Sequence, residues 1–300
     1  MKKNRQIRRL KKASPLHMGI MVLLSAYTLI MALLMLWAII TSLKTPMDFR
    51  TNKLGLPSAE YGLAWENFSI VFPNFKNIII SGGQQYVIDF WGMLTYTIMY
   101  AGVGALISSV VPCLVAYACT KFDFKFNAVI YGIVIVSMVL PIVGSAPSEM
   151  KILKDLGMYN TMWGNWIQKF HFLGMYFLVY YAAFKSFPNT YLDAAYIDGA
   201  GEWRTFLNVT LPLVRNTFLT ILLIRFIDYW NDYQTPLLYI PSYPTLAVGL
   251  YNLSNSTVGE LSWVPRKVAA CLILLLPIMA LFIAFRDKLM GSLTMGGIKE

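Results

Sequence analysis

Apolar and polar positions fall in long blocks along this chain. Met18–Leu43 and Phe90–Thr120 carry no charged residue at all. Either run exceeds the roughly 20 residues that cross a bilayer as a helix. Shorter apolar blocks follow, and together they predict six spans at about 18–43, 90–120, 128–147, 164–184, 216–238 and 268–285. Pro112 should bend the second span. Pro141 and Gly144 mark breaks near the end of the third. Gly104 and Ser108, like Ala101 and Ala105, are four residues apart, the small-residue spacing that lets membrane helices approach closely.

The segments between the spans differ in character. Residues 44–89 are mixed and aromatic, a long loop with local structure of its own. Glu149–Trp163 alternates Ile152, Leu153, Leu156 and Met158 with Lys151, Lys154 and Asp155, which predicts a surface amphipathic helix. Lys169 and His171, near one end of the fourth span, are expected to snorkel or to meet a partner. Trp163, Trp166 and Trp263 suit interfacial anchors.

Composition turns this pattern into a class. The chain of 300 residues is 57% hydrophobic and 13% charged, against about 25% charged in a soluble domain. Mean hydropathy is +0.55. An integral, polytopic, all-α membrane protein is expected, so the net charge of +10 reads as topology rather than as a nucleic-acid footprint. Met1–Leu16 holds seven Lys/Arg and no acid, which places the N-terminus inside. With six spans the inside segments collect 15 Lys/Arg and the outside ones 9. Both termini are then cytoplasmic, with a basic tail at 1–16, a permease-like helical domain at 17–286 and a tail at 287–300. Loop 44–89 lies outside and loop 185–215 inside.

Chemistry is scarce. No phosphate-binding GxxxxGK[ST], GxSxG or HExxH pattern occurs. Cys113, Cys119 and Cys271 sit inside apolar runs as packing residues. No catalytic residue, metal site or cofactor of the chain's own is expected. The oddity inside a span is Arg225 with Asp228, about one helical turn apart, followed by Tyr229, Trp230 and Asn231. Two readings stay open. This face lines a polar pathway, where aromatic rings and amides suit sugars, or Arg225 and Asp228 pair and serve assembly alone.

The other unusual stretch is Asp193–Pro212, the longest polar interruption in the second half. Ala194 and Ala195 are small, Gly199 permits a turn with positive φ, and Leu211-Pro212 marks a stop. It reads as helix, turn, helix, with Pro212 opening the next segment, and as a surface built to be touched by another protein.

At these residues the chain resembles bacterial ABC-importer permeases, whose cytoplasmic loop runs Glu-Ala-Ala, three residues, Gly, nine residues, Ile-x-Leu-Pro. Here Asp193, Ala194, Ala195, Gly199, Val209, Leu211 and Pro212 stand at that spacing, with Asp193 for Glu and Val209 for Ile. Asp198-Gly199-Ala200 is similar to the form in the carbohydrate-uptake branch. So are the segments at Leu156–Trp163, Trp230-Asn231 before Pro236, and Pro244–Leu250. The ending from Leu293 to Lys299 resembles the tail of the second, six-helix subunit of the maltose importer, with Glu300 where that family has Gly.

The resemblance implies a type I importer permease fold in a bacterial cell membrane. It implies a second homologous permease subunit and a cytoplasmic ATPase dimer that binds ATP and Mg. It also implies an extracytoplasmic solute-binding protein and a sugar or oligosaccharide as cargo. Asp193, Ala194, Ala195, Asp198, Gly199, Ala200, Leu211 and Pro212 would form the coupling loop, and Gly296, Gly297 and Lys299 a tail touching the ATPase. The rivals are an ABC permease for a non-sugar solute and an ion-coupled secondary transporter.

Overall fold

The computed structural model describes residues 15–293, apart from 82, 124, 141–143 and 258. Helix α1 (Pro15–Ser42) is apolar along its length and exposed over most of it, as a helix facing lipid must be. A folded excursion follows. It contains α2 (Pro46–Thr51), α3 (Glu66–Asn74) and an antiparallel hairpin of β1 (Asn77–Ser81) and β2 (Gln84–Ile88). The hairpin is a small departure from the all-α expectation. Polar side chains hold the excursion together. Buried Asn67 donates from Nδ2 to the carbonyls of Ser42 and Lys44, both at 2.8 Å. Asp48 accepts from the Ser58 amide and hydroxyl, and Lys44 Nζ donates to Asn52 O at 2.6 Å.

The central element is α4 (Phe90–Lys121). It packs most extensively on α12 (Arg215–Asn231) and on α8 (Met175–Lys185), while α15 (Val264–Leu293) packs on α12, α1 and α3. Ala101, Gly104, Ala105 and Ser108 are all buried on α4. The Tyr229 ring of α12 lies against Gly104, so close that a Cβ there would stand 3.3 Å from it. Small residues at spacing four thus perform the expected service of close helix approach. One apolar core surrounds Met93, Tyr100, Tyr229 and Trp230; a second surrounds Tyr117, Phe177, Tyr180 and Phe184.

The long spans at 18–43 and 90–120 match α1 and α4 closely, and the last helix is longer than 268–285 at both ends. The middle spans differ. The helix expected at 128–147 is α5 (Asn127–Val139). It stops because Leu140, preceding Pro141, takes an extended conformation. The expected surface helix at 149–163 divides into α6 (Ala146–Asp155) and the start of α7 (Met162–Gln168), with left-handed Gly157 and Asn160 between them. The span at 164–184 is broken between α7 and α8, where Gly174 has φ of 122°. The span at 216–238 ends at Asn231. Asp232 then turns extended, its Oδ1 accepting the Thr235 amide at 3.0 Å before α13 (Gln234–Tyr239). Among the described residues three helices are long and apolar enough to cross a membrane, or four with one bent pair. Trp163 and Trp263 are exposed as anchors would be, but Trp166 is half-buried against the first core.

The α4–α12 seam makes a direct prediction. Gly104→Leu should cost about 1–3 kcal/mol of stability by overpacking. Gly102→Leu, with open space around it, should be close to neutral. Melting curves of the two purified variants in detergent check the difference.

Candidate functional site

Two polar regions stand at opposite ends of α12. At its N-terminal end lies the loop expected to dock a partner. Helix α9 (Thr190–Ile197) ends at Asp198 and Gly199, whose φ is +77°. The Gly199 amide donates to Tyr196 O and the Ala200 amide to Ala195 O at 2.9 Å. This paired closure is a left-handed helix cap, which glycine adopts without a Cβ penalty. The chain re-enters helix at α10 (Glu202–Thr205). It continues through a wider turn at Phe206–Thr210 into α11 (Leu211–Leu213), and bends by 80° into α12. The bend falls at Val214, so Pro212 lies inside the incoming helix and does not open the next one.

The small residues divide their work. Leu192 is buried in the second core and Ala195 is buried on the same helix, whereas Asp193 and Ala194 are exposed. Leu211 packs against the same core, and Ala195, Asp198 and Ala200 line a shallow cavity of about 260 Å³ beside Arg204. The outward face is apolar: Ile197 is 85% and Trp203 69% exposed. The sequence reading did not single out either one. Large apolar side chains at the tip of a polar loop were the available signal. Tyr196 donates to Glu202 Oε2 at 2.7 Å across the turn. Burial, and then this bond, raises the Tyr196 hydroxyl above its ordinary range. Lys121, the last residue of α4, fastens the loop's start by donating to Phe187 O at 2.9 Å and Asn189 Oδ1 at 3.0 Å.

At the other end of α12 the five expected pathway residues do not share one surface. Arg225 lies over the Tyr176 ring at 4.2 Å and 4.0 Å from the exposed Asp228 carboxylate. Tyr229 is buried against α4 and Trp230 sits in the first core, while exposed Asn231 bonds back to Ile227 O. Lys169, expected to snorkel or to meet a partner, does not snorkel and is buried. Its Nζ is 4.4 Å from the centre of the Tyr229 ring, 5.3 Å from that of Tyr100, and 3.5 Å from the Tyr100 hydroxyl, which donates to Asp232 at 2.6 Å. The break after α7 is what turns this side chain inward. Asn160 explains another polar segment. Its amide group bonds both the hydroxyl and the amide of Ser242, and its own N–H reaches Tyr239 O at 2.8 Å. Gly296, Gly297 and Lys299 lie outside the described residues.

The fold and the loop define a polytopic helical membrane component with a rigid turn at one end of the bundle. Residues 108–290 match the family of inner membrane components of binding-protein-dependent transport systems, and the chain belongs to that family. It is similar to the diacetylchitobiose uptake permease NgcG of Streptomyces coelicolor, 24% identical over 91% of this chain and 86% of that one. It is also similar to the melibiose/raffinose/stachyose import permease MelC of Bacillus subtilis, 27% identical over 68% of this chain and 74% of that one. Among solved structures, a chain of a bacterial ABC transporter involved in alginate import shares the fold. Its TM-score is 0.70 at 20% identity, covering 90% of this chain and 95% of that one.

The glycine turn can be tested by itself. Gly199→Val should lower stability by about 1–2 kcal/mol, the cost of a left-handed conformation for a bulky residue. Gly199→Asn should retain most of it, because asparagine tolerates that region. Thermal unfolding of the purified chain in detergent reads the difference.

Proposed function

We propose that this chain is one of two permease subunits of a binding-protein-dependent ABC importer for a sugar or oligosaccharide. The carrying observation is the Gly199 turn, which holds Ile197 and Trp203 exposed beyond the bundle while Leu192 anchors the loop in the core shared with α4, α8 and α12. Such a rigid, apolar knob suits a cleft in a cytoplasmic ATPase. The charge bias of the loops supports the same orientation, with loop 185–215 and both termini inside. Asp193, Ala194, Asp198 and Ala200 would rim the contact, and Leu211 and Pro212 would stiffen the helix leading to the bend. The tail with Gly296, Gly297 and Lys299 would add a second contact.

In this reading the chain contributes no catalytic group. The partner ATPase binds ATP and Mg, and closure of its dimer stabilises one of two bundle states. The 80° bend at Val214 passes the loop's displacement into α12, and through the α4 seam into the bundle. A solute-binding protein delivers cargo at the other end. Relatives named for diacetylchitobiose and for melibiose, raffinose and stachyose support a carbohydrate cargo. So does a structural neighbour described in complex with an alginate pentasaccharide-bound periplasmic protein. A permease named for sn-glycerol-3-phosphate, 26% identical, keeps a second reading in view, a small phosphorylated polyol.

Uptake by the assembled importer in proteoliposomes should require ATP inside and survive collapse of ion gradients. Ile197→Asp and Trp203→Asp should each reduce ATP-driven uptake at least about tenfold, the effect of about 1.4 kcal/mol lost at a docking anchor. The chain should remain inserted and its melting temperature unchanged. Wild-type uptake by both variants would remove the coupling assignment.

A further inference from the structure

Lys169 is 8% exposed, yet it has no carboxylate within 4.0 Å among the described residues. Its hydrogen-bond partner in the protein is the Tyr100 hydroxyl at 3.5 Å, beyond which stands the Asp232 carboxylate that Tyr100 holds. An ammonium has three donors, and this one borders a cavity of about 440 Å³. The cavity lies between α6, α7, α12 and α13, at the end of α12 away from the docking loop. That volume falls in the range of about 300–1,000 Å³ typical of small-molecule sites.

The other walls are polar too. Glu149 accepts the Tyr239 hydroxyl on Oε2 at 3.0 Å, leaving Oε1 for another donor. Gln168, His171 and Thr235 complete the lining. Irregular backbone at 169–174 adjoins it, and a charged side chain is costly to bury unless something compensates it. Buried ionisable groups in membrane bundles mark solute paths on the same grounds.

We propose that this cavity is a solute subsite formed by this chain alone, and that it takes one ring of a neutral, hydroxyl-rich sugar. The assignment rests on the permease reading above and specifies where that cargo touches this subunit. The mixture of charges decides the class. A hydroxyl both donates and accepts, so a sugar ring satisfies Lys169 and Glu149 together. An acidic solute would gain Lys169 but would have to sit near the Asp232 and Glu149 carboxylates, and an apolar one would leave the buried Lys169 ammonium with Tyr100 as its hydrogen-bond partner.

The test uses cells of the source organism that lack this chain, complemented with wild type or variants. They are given radiolabelled raffinose, maltotriose, diacetylchitobiose and the acidic trisaccharide trigalacturonate. Wild type should import at least one neutral probe. Lys169→Met, Glu149→Gln and Thr235→Val should each lower its uptake at limiting probe concentration by up to about tenfold, the loss expected for one hydrogen bond. Lys154→Ala, on the exposed side of α6, should change nothing. Glu149→Gln should also raise trigalacturonate uptake relative to the neutral probe severalfold, which a purely structural role would not do. Lys169 packs on two tyrosines, so if Lys169→Met lowers the amount of chain in the membrane, Glu149→Gln and Thr235→Val decide the matter.

Neutral uptake that is unchanged in the cavity variants would overturn the subsite and leave the permease reading standing. Import of trigalacturonate alone would overturn the neutral class. If no probe depends on the chain, the permease reading fails, and the subsite with it.

Discussion

The contact between Gly104 of α4 and the Tyr229 ring of α12 is the constraint on which the rest of the bundle depends. Lipid supplies no hydrophobic drive for two helices to meet, so close packing of small residues must hold them. Ala101, Gly104, Ala105 and Ser108 provide the groove, and Tyr229 fills it. Because the backbones approach this closely, Tyr100 can reach Asp232 across the seam at 2.6 Å. That bond fixes the point where α12 stops being helical. It also leaves Lys169 facing two tyrosine rings and a cavity, with Tyr100 between it and the Asp232 carboxylate. One packing contact thus sets up the polar end of the bundle.

The same helix carries the other end. Below the seam, α4 contributes Tyr117 to the second core and Lys121 to the start of the loop. Phe206 and Leu192 enter that core from the loop itself. The loop is therefore continuous with the bundle, and the Gly199 cap gives it a fixed shape at its tip. A load placed on Ile197 or Trp203 has a packed route to α12 through Val214. Rigidity matters here because a flexible tip would absorb displacement without moving the helices. For the α4 seam and the loop alike, close packing against α4 is what converts a local shape into a property of the whole chain.

Much of this was legible in the residues. The charge-free runs at 18–43 and 90–120 located α1 and α4 nearly to the residue, because a bilayer selects for length and apolarity directly. The spacing of Gly104 and Ser108 located the seam. Asp198-Gly199-Ala200 located the left-handed cap, since that conformation narrows the choice of residue at a single position. The middle of the chain was harder. The apolar blocks at 128–147, 164–184 and 216–238 are interrupted in ways that composition averages over, by Pro141, Gly174 and Asp232.

What the sequence determined, then, are the properties that local chemistry decides. These are a membrane-embedded helical chain, its two longest spans, the small-residue groove and the glycine turn of a family loop. What only the tertiary structure decided is which way side chains point. Ala194 and Ala195 are identical in sequence terms, yet one is exposed and the other is buried. Lys169 looks like a residue that should reach for water, yet it is buried over Tyr229 and Tyr100. Arg225 through Asn231 form one polar cluster in the sequence but serve three different surfaces in the bundle. The reason is physical. Orientation depends on partners far away in the chain, and a residue's own neighbours in sequence carry little information about them.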